Sequence, residues 1–252
     1  MKKFLFLICL ILVWFNSCTD EPKGFDGVKE RRLSSISYFN DDAEDPYLRL
    51  VLSYDIKDRL KSFYGYYEED SYEFNQQISY NKNEIVVEGE CGDLGTGAIV
   101  YSIGKNGYAY KAAYYDSEDS LNPQIEFTFE YEDGYLTSIT EMEDYYADVT
   151  KFKYRDGNLL GSYSGTWDSD DDKVISYTSF LNKTGRPTHE WFGEYFIWDH
   201  LAAFYIGILG KPTRNLESCD DAGHVINYEL DSDGYIQSET SNGKKLVYNY
   251  YF

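Results

Sequence analysis

Phe127-Thr128-Phe129-Glu130-Tyr131-Glu132-Asp133-Gly134-Tyr135-Leu136-Thr137-Ser138-Ile139-Thr140 alternates apolar and polar residues on both sides of Asp133-Gly134. A period of two puts every second side chain on the same face of a strand. Asp-Gly supplies the positive φ angles that a two-residue hairpin turn demands. The stretch therefore reads as two antiparallel strands and a tight turn, with aromatic residues suited to a pleated, half-buried surface.

The pattern recurs at Phe152-Lys153-Tyr154-Arg155-Asp156-Gly157-Asn158-Leu159 and, around Asp233-Gly234, from Ile226 to Ser238. Weaker copies run from Leu52 to Leu60 and from Tyr101 to Tyr108. Their irregular spacing argues against a strict solenoid, so the prediction is a mainly β chain. It is expected to form an antiparallel meander, open or partly curled, as a single domain over residues 31–252. The motifs Tyr131-Glu132-Asp133-Gly134-Tyr135-Leu136 and Tyr154-Arg155-Asp156-Gly157-Asn158-Leu159 resemble the YD repeats of Rhs-type proteins. With the amino-terminal features below, the chain is similar to Bacteroidota surface lipoproteins built from such hairpins. In those families a helix followed by a Leu-Gly-Lys-Pro or Leu-Gly-Lys-Ser segment and then Asn-Leu interrupts the strands. Leu209-Gly210-Lys211-Pro212-Thr213-Arg214-Asn215-Leu216 matches that segment. The resemblance implies fold class and location and brings no activity with it.

One helix is predicted, from Glu194 to Leu209. Phe196, Ile197, Leu201, Phe204, Tyr205, Ile208 and Leu209 fall at helical spacing, and Gly210 with Pro212 forms a stop signal. Apolar residues cover so much of its circumference that it is expected to be buried against the sheet.

Met1-Lys2-Lys3 and the apolar run Phe4 to Phe15 have the form of an export signal over residues 1–17. The run is shorter than the roughly 20 residues that a helix needs to span a bilayer. Phe15-Asn16-Ser17-Cys18 resembles a lipobox, with Phe15 where Leu is usual, which implies acylation of Cys18. Residues 18–30 are polar, with Pro22, Gly24 and Gly27, and read as a tether. The protein is thus expected to be exported and anchored by lipid to the outer membrane, and the acidic start Thr19-Asp20-Glu21 resembles a signal for display at the cell surface. Cys91 and Cys219 remain in the folded part. In an oxidising compartment they form either one disulfide or two separate thiols, and sequence does not supply their separation.

The 252 residues hold 44 acidic against 23 basic side chains, a net charge of −21. Such a balance argues against nucleic acid as a partner and disfavours docking of the folded body on anionic lipid. No CxxC, HxxxH or HExxH spacing marks a metal site, and no cofactor is expected. Asp199-His200 and Cys219 with His224 are the pairs that would suit acid–base or nucleophilic chemistry, but a structural role is the expectation for both. The acidic run Asp168–Asp172 lacks the Gly and Glu of an EF-hand loop and reads as solvated.

With 27 Tyr in the chain, an aromatic sheet face is the leading candidate for function. The expected activity is non-enzymatic binding of a glycan or other polymer at the cell envelope. The candidate ligand-binding residues are Tyr64, Tyr66, Tyr114, Tyr145, Trp167 and Trp191. An assembly protein pairing with an envelope partner through a free sheet edge is the second reading. A glycoside hydrolase built on a carboxylate pair is the third.

Overall fold

The structure, a computed structural model, describes residues 31–40, 43–67, 72–118, 121–143, 146–164, 175–184, 194–219 and 223–251. The signal and tether of residues 1–30, including Cys18, lie outside the described residues, as do Tyr145, Trp167, Trp191 and the run Asp168–Asp172.

The chain runs through β1 (Arg32–Asn40), β2 (Leu48–Tyr54), β3 (Leu60–Tyr67), β4 (Tyr72–Tyr80), β5 (Glu84–Glu90), β6 (Thr96–Ile103), β7 (Ala109–Asp116) and β8 (Ile125–Glu132). It continues through β9 (Tyr135–Glu143), β10 (Tyr146–Arg155), β11 (Asn158–Ser164), β12 (Tyr177–Leu181) and α1 (Glu194–Ile206). The last elements are β13 (Asn215–Glu217), β14 (Asn227–Leu230), β15 (Ile236–Ser241) and β16 (Lys244–Tyr251). Fourteen strands form one antiparallel sheet in the order β11 to β1 followed by β16, β15 and β14, while β12 and β13 form a separate ribbon. The meander predicted from the hairpin motifs is the observed architecture. Its one departure from chain order is β1 beside β16, which joins the two ends of the chain. One apolar core contains residues from nearly every strand and from α1, so the sheet curls around the helix without closing into a barrel.

The sheet has two unlike rims. The turns after β2, β4, β6, β8, β10 and β14 all lie on one, hereafter the turn rim, where β1 also starts and β16 ends. The remaining connections, including residues 91–95 and Asn242-Gly243, lie on the opposite loop rim. Asp133-Gly134 and Asp156-Gly157 both take positive φ at each residue, the conformation of a type I′ hairpin turn. Asn242-Gly243 does the same between β15 and β16, a hairpin the sequence reading did not single out.

Several Tyr have a specific task. Tyr80, Tyr131 and Tyr177 donate their hydroxyls to the carbonyls of Leu60, Ala109 and Leu159, at 2.8, 2.6 and 2.6 Å. Leu60 and Ala109 open β3 and β7 and Leu159 is the second residue of β11, so these Tyr, of which Tyr131 belongs to the hairpin motif, clip neighbouring elements together along the turn rim. Tyr54 and Tyr250 do likewise to Leu33 and Ile236. The apolar residue after each turn points into the core: Leu136, Leu159 and Ile236 are at most 2 % exposed. Much of the aromatic excess is therefore used in holding the sheet together.

The helix ends earlier than its sequence suggested. Gly207 takes φ +82°, and its N–H reaches the carbonyl of Ala203 at 3.1 Å, which closes α1 at Ile206 rather than at Leu209. The segment from Ile208 to Asn215 then runs as a strap beneath successive turns. Ala109 N–H donates to Ile208, Lys211 N–H to Gly134 and Arg214 N–H to Gly157, at 2.8–2.9 Å. Gly210 at φ +94° passes so close that a Cβ would stand 3.0 Å from the Gly134 carbonyl oxygen and the Leu136 nitrogen. The segment matched in sequence to the Leu-Gly-Lys-Pro pattern is thus the element that reads the Asp-Gly turns.

Both outer strands of the large sheet are partly covered. Ile175 N–H approaches the Leu160 carbonyl at 3.5 Å and Tyr177 donates to Leu159, so β11 carries the β12 ribbon. At the other end β14 is four residues long, and Ile226 N–H, just before it, donates to Ser218 just after β13. Short or covered edges resist pairing with another chain. Among the described residues, the long free edge that would favour an assembly role is not present.

Candidate functional site

The interior is filled rather than open. His200 is wholly buried, its Nδ1 2.6 Å from the Tyr101 hydroxyl and its ring edge-on to Phe127 with centroids 4.6 Å apart. Burial lowers the imidazole to about 3 and pushes the Tyr101 phenol well up. At neutral pH both are uncharged, and the hydroxyl donates to the ring nitrogen. The arrangement orients α1 inside the sheet and, being closed to solvent, has no access to a substrate. Cys91 is likewise in the core, and burial pushes its thiol up to about 12.

The structure holds Cys91 and Cys219 as free thiols, so the disulfide reading is not the observed state. The reason is placement. Cys91 follows β5 inside the core at the loop rim, whereas Cys219 is partly exposed beyond β13. His224 is exposed near Cys219, whose backbone forms a bridge to Val225.

The outer face of the sheet carries charged and polar residues among apolar ones such as Val86, Val100 and Met142. Arg49, Glu73, Asn75, Gln77, Glu88, Glu130, Lys151 and Lys153 all point away from the core and are exposed. A membrane-spanning barrel needs the reverse, since a Lys or Arg facing the bilayer midplane costs about 2–4 kcal/mol.

Of the six aromatic candidates, the structure describes three and brings two together. Tyr64 and Tyr66 stand on the outer face of β3, two residues apart and half-buried. Across β2, β3 and β4 the register gives one row of Arg49, Tyr66 and Glu73 and a second of Val51, Tyr64 and Asn75. Desolvation, then the nearby Glu73 carboxylate, raises the Tyr64 phenol above its ordinary range. Two phenol rings flanked by a guanidinium, an amide and a carboxylate make a surface with both stacking and hydrogen-bonding capacity. Tyr114 is corrected: it faces inward, is 3 % exposed, lies over Gly97 and donates to the Thr96 carbonyl at 3.3 Å. Strand alternation puts its neighbour Tyr115 on the outer face instead.

A carboxylate pair that sequence reasoning missed lies on the inner wall near the loop rim. Glu141 and Asp148 face each other directly across β9 and β10, on the same face as Phe127. Burial, then the charges of Asp148 and Glu143, raise Glu141 above the ordinary carboxylate range. The signal was available in principle: the two residues lie at equal distances from the short β9–β10 connection.

Charge is divided between the rims. On the turn rim, Arg31, Arg32, Lys57, Arg59, Lys82, Lys105, Arg155, Lys183, Lys211 and Arg214 stand against Asp55, Asp58, Glu84, Glu132, Asp133, Asp156, Asp231 and Asp233, a slight basic excess. Near the loop rim, Glu44, Asp45, Glu73, Glu90, Asp116, Glu118, Glu143 and Asp148 outnumber the basic Arg49, Lys244 and Lys245 among the described residues. Arg31 pairs with Asp231 and Asp233, Arg32 with Asp58, and Arg59 with Asp55 at 2.7 Å.

Comparison with solved structures finds the same fold. A porin-like protein from Bacteroides uniformis superposes with a TM-score of 0.65 at 19 % identity, covering 87 % of this chain and 96 % of the other. A porin-like protein from Bacteroides vulgatus gives 0.53 at 13 % identity, over 87 % and 99 %. No protein-family model matches the sequence. No curated protein matches it either.

Proposed function

We propose that the chain is a non-enzymatic envelope protein, exported and held to the outer membrane through acylated Cys18, with its body displayed at the cell surface. Its proposed task is to bind an extended ligand, a glycan or other polymer, on the outer face of β3. The observation that carries the binding reading is the double row Arg49–Tyr66–Glu73 and Val51–Tyr64–Asn75 on the outer sheet face. The packed interior supports a surface site, because it leaves His200 and Tyr101 no contact with solvent. The likeness to porin-like Bacteroides proteins fits an envelope setting, and the exposed charges of Arg49, Glu73, Glu88, Glu130, Lys151 and Lys153 on the outer face favour a water-exposed body over a spanning barrel.

The test is a glycan and polysaccharide screen with residues 19–252, scored for retention and for released products. Tyr64→Ala with Tyr66→Ala is expected to weaken retention by about 10- to 100-fold, at ~1–3 kcal/mol for stacking partners. Retention unchanged by the double substitution would sink this site. A second reading, hydrolysis, is favoured by the cross-strand pair of Glu141 and Asp148. Released products that disappear in Glu141→Gln would move it to first place. The anchor is tested separately: Cys18→Ala is expected to free the protein from membranes, and a variant that stays bound would overturn the assignment.

A further inference from the structure

We propose that the turn rim is the membrane-facing surface of this protein, docking its basic turn tips on anionic lipid head groups. The inference rests on the lipid-anchor reading for the origin of the tether, and on the fold for the direction the body faces.

Two independent observations lead to it. The first is where the tether joins the body. Arg31 is gripped by Asp231 and Asp233 of the β14–β15 turn and lies over the Tyr235 ring at 5.3 Å. Arg32 is held by Asp58 of the β2–β3 turn. The chain preceding the sheet therefore leaves from the turn rim in a defined place. Thirteen residues, 18–30, separate Cys18 from Arg31. A trans peptide chain of that length spans at most about 45 Å, so an acyl chain on Cys18 keeps this rim near the bilayer.

The second observation is charge. Although the whole chain carries −21, among the described residues most basic side chains stand on the turn rim, where they slightly outnumber the acidic ones, whereas acidic side chains predominate near the loop rim. Three exposed lysines, Lys57, Lys82 and Lys105, stand at the tips of separate turns, with no ion-pair partner among the described residues. Beside Lys57, Ile56 is fully exposed at the same tip, an apolar side chain that none of the described residues covers. A negative lipid surface attracts the lysine rim and repels the acidic one, so tether and field orient the body the same way. The loop rim is thereby turned outward.

The experiment uses residues 18–252, which contain every strand, with Cys219→Ser and a maleimide lipid coupled to Cys18; Cys91 is buried and does not compete. Vesicles of pure phosphatidylcholine are compared with vesicles containing phosphatidylglycerol, and lysine acylation is read by mass spectrometry. On the anionic vesicles Lys57, Lys82 and Lys105 are expected to react about fivefold more slowly than on the neutral ones, with the difference lost at ~1 M salt. Lys244 and Lys245 serve as the loop-rim control and react equally on both. In K57E/K82E/K105E, the charge-dependent protection of Lys183 and Lys211 on the same rim is expected to vanish. Equal rates at the three tips on both vesicles, or protection of Lys244 and Lys245 instead, would overturn the proposal. Because the lipid is attached chemically, this result stands apart from cellular acylation, which the mass of the natural amino terminus reports.

Discussion

The buried imidazole of His200 makes a quantitative claim about pH. In the folded protein its pKa is lowered to about 3 by burial, whereas an unfolded chain holds histidine near 6.5. Between these values the unfolded state binds a proton that the folded state refuses. Stability is therefore complete above about pH 6.5 and is lost progressively as the pH falls toward 3. From pH 7 to pH 5 the linkage amounts to about 2 kcal/mol for this one residue. Asp55 and Asp231, held low first by backbone N–H groups and then by the Arg59 and Arg31 side chains, lose their contribution only in the more acid range. Urea unfolding at pH 7 and pH 5 isolates the histidine when wild type is compared with His200→Gln, whose amide still offers an acceptor to Tyr101. The wild type is expected to lose about 2 kcal/mol more than the variant over that interval. An equal loss in both proteins, or an NMR titration of His200 near 6.5, would refute the placement of this ring in the core.

Other outcomes follow from the strap and the clips. Gly210→Ala forces a Cβ to within 3.0 Å of the Gly134 carbonyl at φ +94°, and is expected to cost about 2–3 kcal/mol in urea unfolding. An effect below ~0.5 kcal/mol would mean that the strap does not lie against the β8–β9 turn. Tyr131→Phe removes the hydroxyl bond to Ala109 while keeping the ring stacked on Tyr108, and should cost about 1 kcal/mol. A neutral result would leave the clip without energetic weight. Glu141→Gln relieves the repulsion with Asp148, so it should stabilise the protein at pH 7 by a few tenths of a kcal/mol after solvent screening. Since the pKa of Glu141 is raised, that gain should fade as the pH drops through its titration, and a gain that persists at pH 3 would contradict the electrostatic cause.

Local chemistry was enough to reveal the strands and turns. Alternation across Phe127–Thr140 and the Asp-Gly pairs at 133–134 and 156–157 specify hairpins through the immediate neighbours of each residue, and a meander joins neighbours in chain order. The helix was legible from its apolar spacing, but its end was not. Gly207 and Gly210 are both glycines at positive φ, and only the fold shows that the first caps the helix while the second lets the strap pass beneath Gly134.

Of the candidate ligand residues, Tyr64 and Tyr66 were within reach of the sequence because alternation places them on one face. The side of the sheet that faces the core is a global property, and it sent Tyr114 inward and left Tyr115 outside. The same holds for the cysteines, which depend on the separation of residues far apart in the chain. Charge shows the difference most clearly. Composition reports a sum, −21, to which the position of each group is irrelevant. Folding brings six turns and the start of β1 to one rim, so Lys57, Lys82 and Lys105 gather there with the Arg31 and Arg32 clamp. Potential depends on distance, and distances between residues far apart in the chain exist only once the sheet has formed.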